Sequence, residues 1–190
     1  MLVLTKKEFM EDREKWMKEI LNGSVFIYPT DTIYGIGCNA KNDKAVLRVR
    51  QLKQRPENPF SIIAPRKEWI IENCEVDGMG ELSRLPGPYT FILSLNSKDI
   101  ISEHVNPGSD TVGVRIPDNW FSDIVRELNV PIVTTSVNKS GKAFMTSLED
   151  ADEDIKNSVD FIIYEGPKKG KPSTIVSFDK KEMKFKLRQK

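Results

Sequence analysis

The sequence predicts an α/β fold built on a mixed sheet, and three observations carry that expectation. Amphipathic stretches with a helical period alternate with short runs of β-branched and aromatic residues. Turn formers such as Asn22-Gly23 and Pro86-Gly87-Pro88 separate them. No internal repeat, low-complexity tract or long linker interrupts the alternation, so the 190 residues are expected to form a single domain, 1–190.

Each element has its local reason. Thr5-Lys6-Lys7-Glu8 is a capping box, and Phe9, Met10, Trp16, Met17, Ile20 and Leu21 follow on one helical stripe up to Asn22-Gly23. Ser24–Tyr28 reads as a strand. A helix is expected over Asp43–Gln54, capped by Asn42, with Ala45, Val46, Val49 and Leu52 inward. Phe60–Ala64 is a buried strand, followed by two short helices near 67–73 and 80–85. Tyr89–Leu95 and Thr111–Ile116 are strands. Pro117-Asp118 opens a helix whose inner face is Phe121, Ile124, Val125 and Leu128. Pro131–Thr135 is a strand, and Ser147–Asp150 is expected to start an acidic helix. Phe161–Tyr164, Thr174–Phe178 and Met183–Leu187 close the sheet.

Composition excludes several function classes. Apolar residues make up 38% and charged residues 30%, with 29 Lys+Arg against 28 Asp+Glu. That balance speaks against a globally basic nucleic-acid coat protein and leaves room for a local basic pocket. No apolar run approaches the roughly 18 residues that span a bilayer, and residues 1–7 turn charged too early for a signal peptide, so no membrane association is expected. Cys38 and Cys74 match no metal or redox spacing, which suits a reducing cytoplasm. His104 is the single histidine, which removes most zinc sites, and no metal site is expected. Charge is uneven: residues 149–160 hold six acids and one lysine, and residues 168–190 hold nine bases and two acids. The second run is either a solvated face or an attractor of an anionic ligand.

Four polar segments interrupt the apolar strands. Residues 28–37, Tyr-Pro-Thr-Asp-Thr-Ile-Tyr-Gly-Ile-Gly, would line Thr30, Thr32 and Tyr34 along one side if extended. Lys53 and Arg55 flank a Pro-bounded loop at a helix end; they suit a phosphate clamp, or they complement the helix dipole. In Thr111–Pro117 the residues Thr111, Gly113 and Arg115 share one face. An Arg inside such a strand needs an anion, either a ligand carboxylate or a structural acid. Thr134, Ser136 and Asn138 share parity just beyond a strand, where α/β sheets bind ligands. Residues 166–173 loosely echo a phosphate-binding loop but have one residue too few between the glycines and Pro172 in place of the hydroxyl residue.

In this order the segments resemble the threonylcarbamoyl-AMP synthase family, whose single-domain members are called YrdC-like. The resemblance spans about residues 23–188 and adds Pro86-Gly87-Pro88, Pro172-Ser173-Thr174-Ile175 and Leu187-Arg188. It implies a twisted mixed sheet with flanking helices around a large electropositive cavity. It also implies an enzyme, a nucleotidyltransferase, that joins L-threonine, bicarbonate and ATP into threonylcarbamoyl-adenylate and pyrophosphate, with ATP as substrate accompanied by Mg2+ and no tightly bound cofactor. A tRNA-modifying transferase machinery would then use the product. By the same resemblance Thr30, Arg115, Thr134 and Ser173 would hold threonine. Lys53, Thr111, Ser136, Asn138 and Arg188 would hold ATP, with Arg55 beside the phosphates and Phe144 contributing through its backbone; Lys53 and Arg55 would serve catalysis, and Thr32 and Tyr34 would line the cavity. The sequence departs from the family pattern at Val137 (usually Ala), Thr135 (often Pro) and Ile63 (His in some members). The competing reading is a non-catalytic module whose basic cavity grips RNA directly.

Overall fold

The structure is a computed structural model describing residues 1–76, 81–179 and 182–187. The Thr5–Glu8 capping box forms as expected: Glu8 N–H donates to Thr5 Oγ1, and Thr5 N–H donates to the Glu8 carboxylate at 2.7 Å. The expected single helix is two, α1 (Lys6–Glu11) and α2 (Arg13–Leu21), divided at Asp12. Phe9, Trp16 and Ile20 turn inward as the stripe requires, while Met10 and Leu21 are exposed. The Asn42 side chain accepts from Ala45 N–H and starts α3 (Asp43–Lys53). The remaining α-helices are α4 (Lys67–Asn73), α5 (Phe121–Leu128) and α6 (Glu153–Ser158). α6 begins later than the sequence suggests. Asp150 instead accepts from Thr146 N–H at 2.8 Å and Ser147 N–H at 2.9 Å, which closes a turn there, and Asp152 becomes the cap.

The strands are β1 (Val3–Leu4), β2 (Phe26–Tyr28), β3 (Gly35–Gly37), β4 (Ser61–Ile63), β5 (Tyr89–Ser94), β6 (Thr111–Arg115), β7 (Ile132–Ser136), β8 (Phe161–Ile163), β9 (Thr174–Asp179) and β10 (Glu182–Lys186). Among the described residues they form one mixed sheet in the order β1-β8-β2-β3-β7-β4-β6-β5-β9-β10. Strand periodicity sorts the core onto two faces. Phe26, Tyr28, Phe161 and Ile163 pack with α1, α2 and α5, whereas Ile27, Ile162, Ile62 and Val133 join α3, α4 and α6 on the other side. Helices cover both faces, except where the cleft opens.

That opening follows from residue size. The registers align Gly35 with Ser136, Thr134 with Ser61, Ser61 with Gly113, Gly113 with Ile92, and Thr90 with Ile175. This row of mostly small or hydroxyl side chains crosses β3, β7, β4, β6, β5 and β9 on one face. A Cβ at Gly113 would lie 2.5 Å from Ser61 Oγ, so the neighbours already fill the space above that glycine. No helix of the described residues is long and apolar enough to cross a membrane.

Candidate active site

The row of small residues floors a cleft of about 720 Å³. Its walls come from the turn after β2, the loop after α3, the loop after β7, and the segment that leads into β9.

The turn after β2 is bent, not extended. Thr30 Oγ1 accepts from Thr32 N–H at 3.1 Å and donates to Ile33 C=O at 2.7 Å, a local hydroxyl-closed turn. Thr30, Thr32 and Tyr34 reach the cleft through that bend, and not through the strand alternation expected of them. Tyr34 stacks on Tyr164, with ring centroids 5.5 Å apart. Its hydroxyl donates to Gly166 C=O at 2.7 Å and accepts from Glu165 N–H at 2.9 Å. Burial pushes its pKa up to about 12, so it remains a phenol. Farther along, Gly170 lies so close to Thr32 that a Cβ would fall 1.9 Å from the Thr32 carbonyl oxygen. Residues 164–173 thus form a strap tied to the same turn, and they deliver Pro172 and Ser173 into the cleft. Ser173 Oγ pairs with Thr90 Oγ1 at 2.7 Å.

Arg115, on β6, lines the cleft and is 5% exposed. It meets a structural acid: its guanidinium donates to Asp31 Oδ1 at 2.5 Å. Asp31 Oδ2 also accepts from Asp118 N–H at 3.1 Å. The Arg115 Nε is buried without a hydrogen-bond partner, and so is the Nε of Arg55. Arg55 projects from a loop built around Arg50, a residue the sequence reading passed over. Arg50 is buried and donates to the carbonyls of Arg55 at 2.8 Å, Pro56 at 3.0 Å, Asn58 at 3.2 Å and His104 at 2.6 Å. Its neighbourhood offers five backbone oxygens, counting Val105, and only the guanidinium fork serves so many at once.

Lys53 is placed differently from the sequence expectation. It is 1% exposed and is absent from the cleft wall. Its ammonium donates to Ser136 C=O, to Asn138 C=O at 2.8 Å and to Asn138 Oδ1 at 3.1 Å. Burial, aided by the Arg55 charge, pushes its pKa down to about 7. Ser136 and Asn138 do line the cleft, joined to each other by a 2.6 Å hydrogen bond. Thr134 and Phe144 line it as well. Thr111 sits at the exposed start of β6, bonded to Ser109, and stands apart from the cleft wall. Arg188 lies outside the described residues. Sequence reasoning missed Ser61 and Thr90 in the floor; Ser61 shares strand parity with Ile63, which was an available signal, and nothing local marked Thr90.

Among the described residues the cations of the lining are Arg55, Arg115 and Lys142, and no carboxylate lines the cleft. No cluster of three His, Cys, Asp or Glu among the described residues is suited to a metal. The arrangement offers donors to an anionic, hydroxyl-bearing ligand and offers no nucleophile–base pair.

A family model described as telomere recombination, the Sua5/YciO/YrdC model, matches residues 18–189. A candidate threonylcarbamoyl-AMP synthase of Methanocaldococcus jannaschii is 40% identical over 181 residues, covering 89% of this chain and 83% of that protein. The threonylcarbamoyl-AMP synthase of Mus musculus is 32% identical over 153 residues, covering 78% of this chain and 54% of that protein. The crystal structure of P. abyssi Sua5 complexed with L-threonine superposes with a TM-score of 0.81 at 29% identity, covering 93% of this chain and 54% of that one. The chain therefore spans about half the length of the mouse and P. abyssi proteins.

Proposed function

The chain belongs to the Sua5/YciO/YrdC family, and on that premise we propose that it is a threonylcarbamoyl-AMP synthase, making threonylcarbamoyl-adenylate and pyrophosphate from L-threonine, bicarbonate and ATP for tRNA threonylcarbamoyladenosine modification in the cytoplasm. We read residues 1–190 as one YrdC-like unit. The observation that supports the activity is the cleft lining: the guanidinium side chains of Arg55 and Arg115, a floor rich in hydroxyls and, among the described residues, no carboxylate.

The roles follow from the chemistry of the ligands. Threonine brings a carboxylate to Arg115 and a side-chain hydroxyl to the region of Thr30, Thr134 and Ser173. ATP brings a polyphosphate to Arg55, and Ser136, Asn138 and the Phe144 backbone face its nucleoside; Arg188 is assigned to ATP by resemblance alone. The threonine amine takes up the carboxyl group of bicarbonate with loss of water. An oxygen of the resulting carbamate attacks the α-phosphorus, the bond to the β-phosphate oxygen breaks, and pyrophosphate leaves. Both reacting groups are anions, so the protein's contribution is alignment and charge neutralisation. With no carboxylate among the described lining residues, a Mg2+ ion would arrive on ATP and be held by its phosphates. The product would pass to a transferase acting on tRNA.

The test is ATP–pyrophosphate exchange. The account expects exchange that requires both threonine and bicarbonate. RNA binding without exchange would instead support the RNA-gripping module.

A further inference from the structure

Two lysines of the cleft region have opposite circumstances. Lys53 has all three ammonium protons facing oxygens of Ser136 and Asn138, and it is buried behind the wall. No proton is left to offer a ligand. Lys142 lies on the cleft wall and is exposed, and among the described residues no carboxylate pairs with it. Lys139, three residues earlier, is held by Asp152 and Asp154 at the start of α6, so those two acids are already engaged.

The two lysines are linked by a continuous relay. Lys53 Nζ fixes the Asn138 side-chain oxygen at 3.1 Å, and Asn138 Nδ2 donates to Lys142 C=O at 2.6 Å. A second tie runs through the backbone, where Ser140 N–H donates to Lys53 C=O at 3.0 Å. Gly141, at φ 78°, lets the chain turn tightly between them. Arg55 and Lys142 each stand two residues along their own segment from that Lys53–Ser140 bond. They therefore reach the cleft from one junction, and the charge of the third lining cation, Arg115, is already met by Asp31.

Resting on the ATP reading above, we propose that Lys142, beside Arg55, is the cation that takes the polyphosphate of ATP and the departing pyrophosphate, and that Lys53 is a positioning residue that holds Lys142 in place through Asn138.

Calorimetric titration with ATP, pyrophosphate and inorganic tripolyphosphate tests this without requiring turnover. Lys142→Gln should weaken all three by about tenfold, the range of one charge-assisted contact. It should also raise the KM for ATP and leave that for threonine unchanged, and Lys142→Arg should restore binding. Lys53→Met should lower Tm and weaken the same three ligands. In the double variant Lys142→Gln should add little to that loss, because one residue acts through the other. Where Lys53→Met does not fold, Lys53→Gln, which keeps an amide donor, replaces it. Wild-type affinity in Lys142→Gln would overturn the role of Lys142. Additive losses in the double variant would make Lys53 an independent phosphate ligand and overturn the relay. A wild type that binds none of the three probes would overturn the inference entirely. A wild type that binds them with the expected variant pattern, yet makes no adenylate, would overturn the proposed function and support this inference.

Discussion

Arg115 and Asp31 stand 84 residues apart in the chain and 2.5 Å apart in the fold, with only 7% and 9% of their side chains exposed. The pair ties the cleft end of β6 to the turn after β2. Asp31 also receives Asp118 N–H, so one carboxylate holds three segments together. The guanidinium is thereby oriented before any ligand arrives.

Asp31→Ala should accordingly cost about 3–5 kcal/mol, because it leaves a buried cation without its partner. Chemical denaturation measures this. Arg115→Ala in a folded protein should raise the threonine requirement by about one to two decades and leave the ATP requirement nearly unchanged. Equal effects on both substrates would make the pair purely structural.

Tyr34 offers a second lever, on the strap. Tyr34→Phe removes one donor and one acceptor from the Gly166 and Glu165 backbone, a loss of about 1–3 kcal/mol. Tryptic cleavage at Lys168 and Lys169 should then accelerate, since the strap opens locally at lower cost. ATP with threonine should slow that cleavage in the wild type.

Lys53 sets a pH dependence with a defined sign. Its folded pKa of about 7 lies below the ordinary value of 10.5. Between those limits the unfolded chain binds the extra proton, so stability rises with pH across that window. Denaturant midpoints measured from pH 7 to 10 should therefore climb relative to those of Lys53→Met, which lacks the titrating group. Parallel curves for the two proteins would mean that Lys53 keeps an ordinary pKa.

Much of the frame was legible because local chemistry decides it. The Thr5–Glu8 and Asn42 caps, the α5 stripe and most strand cores needed only neighbouring residues. β3 was missed because the glycines on either side of Ile36 weaken its strand signal; a Cβ at Gly35 would lie 3.0 Å from a Tyr28 ring atom, and one at Gly37 2.1 Å from the Val133 carbonyl oxygen. Arg50 and Lys53 looked like ordinary cations at a helix end. Their burial depends on carbonyls of Val105 and Asn138, more than fifty residues away, which no local pattern reveals. Thr30, Thr32 and Tyr34 were rightly grouped at the cleft for the wrong geometric reason: a Thr-closed turn replaced the expected strand.

The most direct test of the central claim is mass analysis of the products formed from threonine, isotope-labelled bicarbonate and ATP, with valine and serine as competitors. The account predicts labelled threonylcarbamoyl-adenylate and pyrophosphate in equal amounts. Threonine should be strongly preferred over valine, and serine should be intermediate, because a site that pairs a substrate hydroxyl rejects the analogue lacking it. Equal turnover of valine, or an adenylate carrying no label, would contradict it.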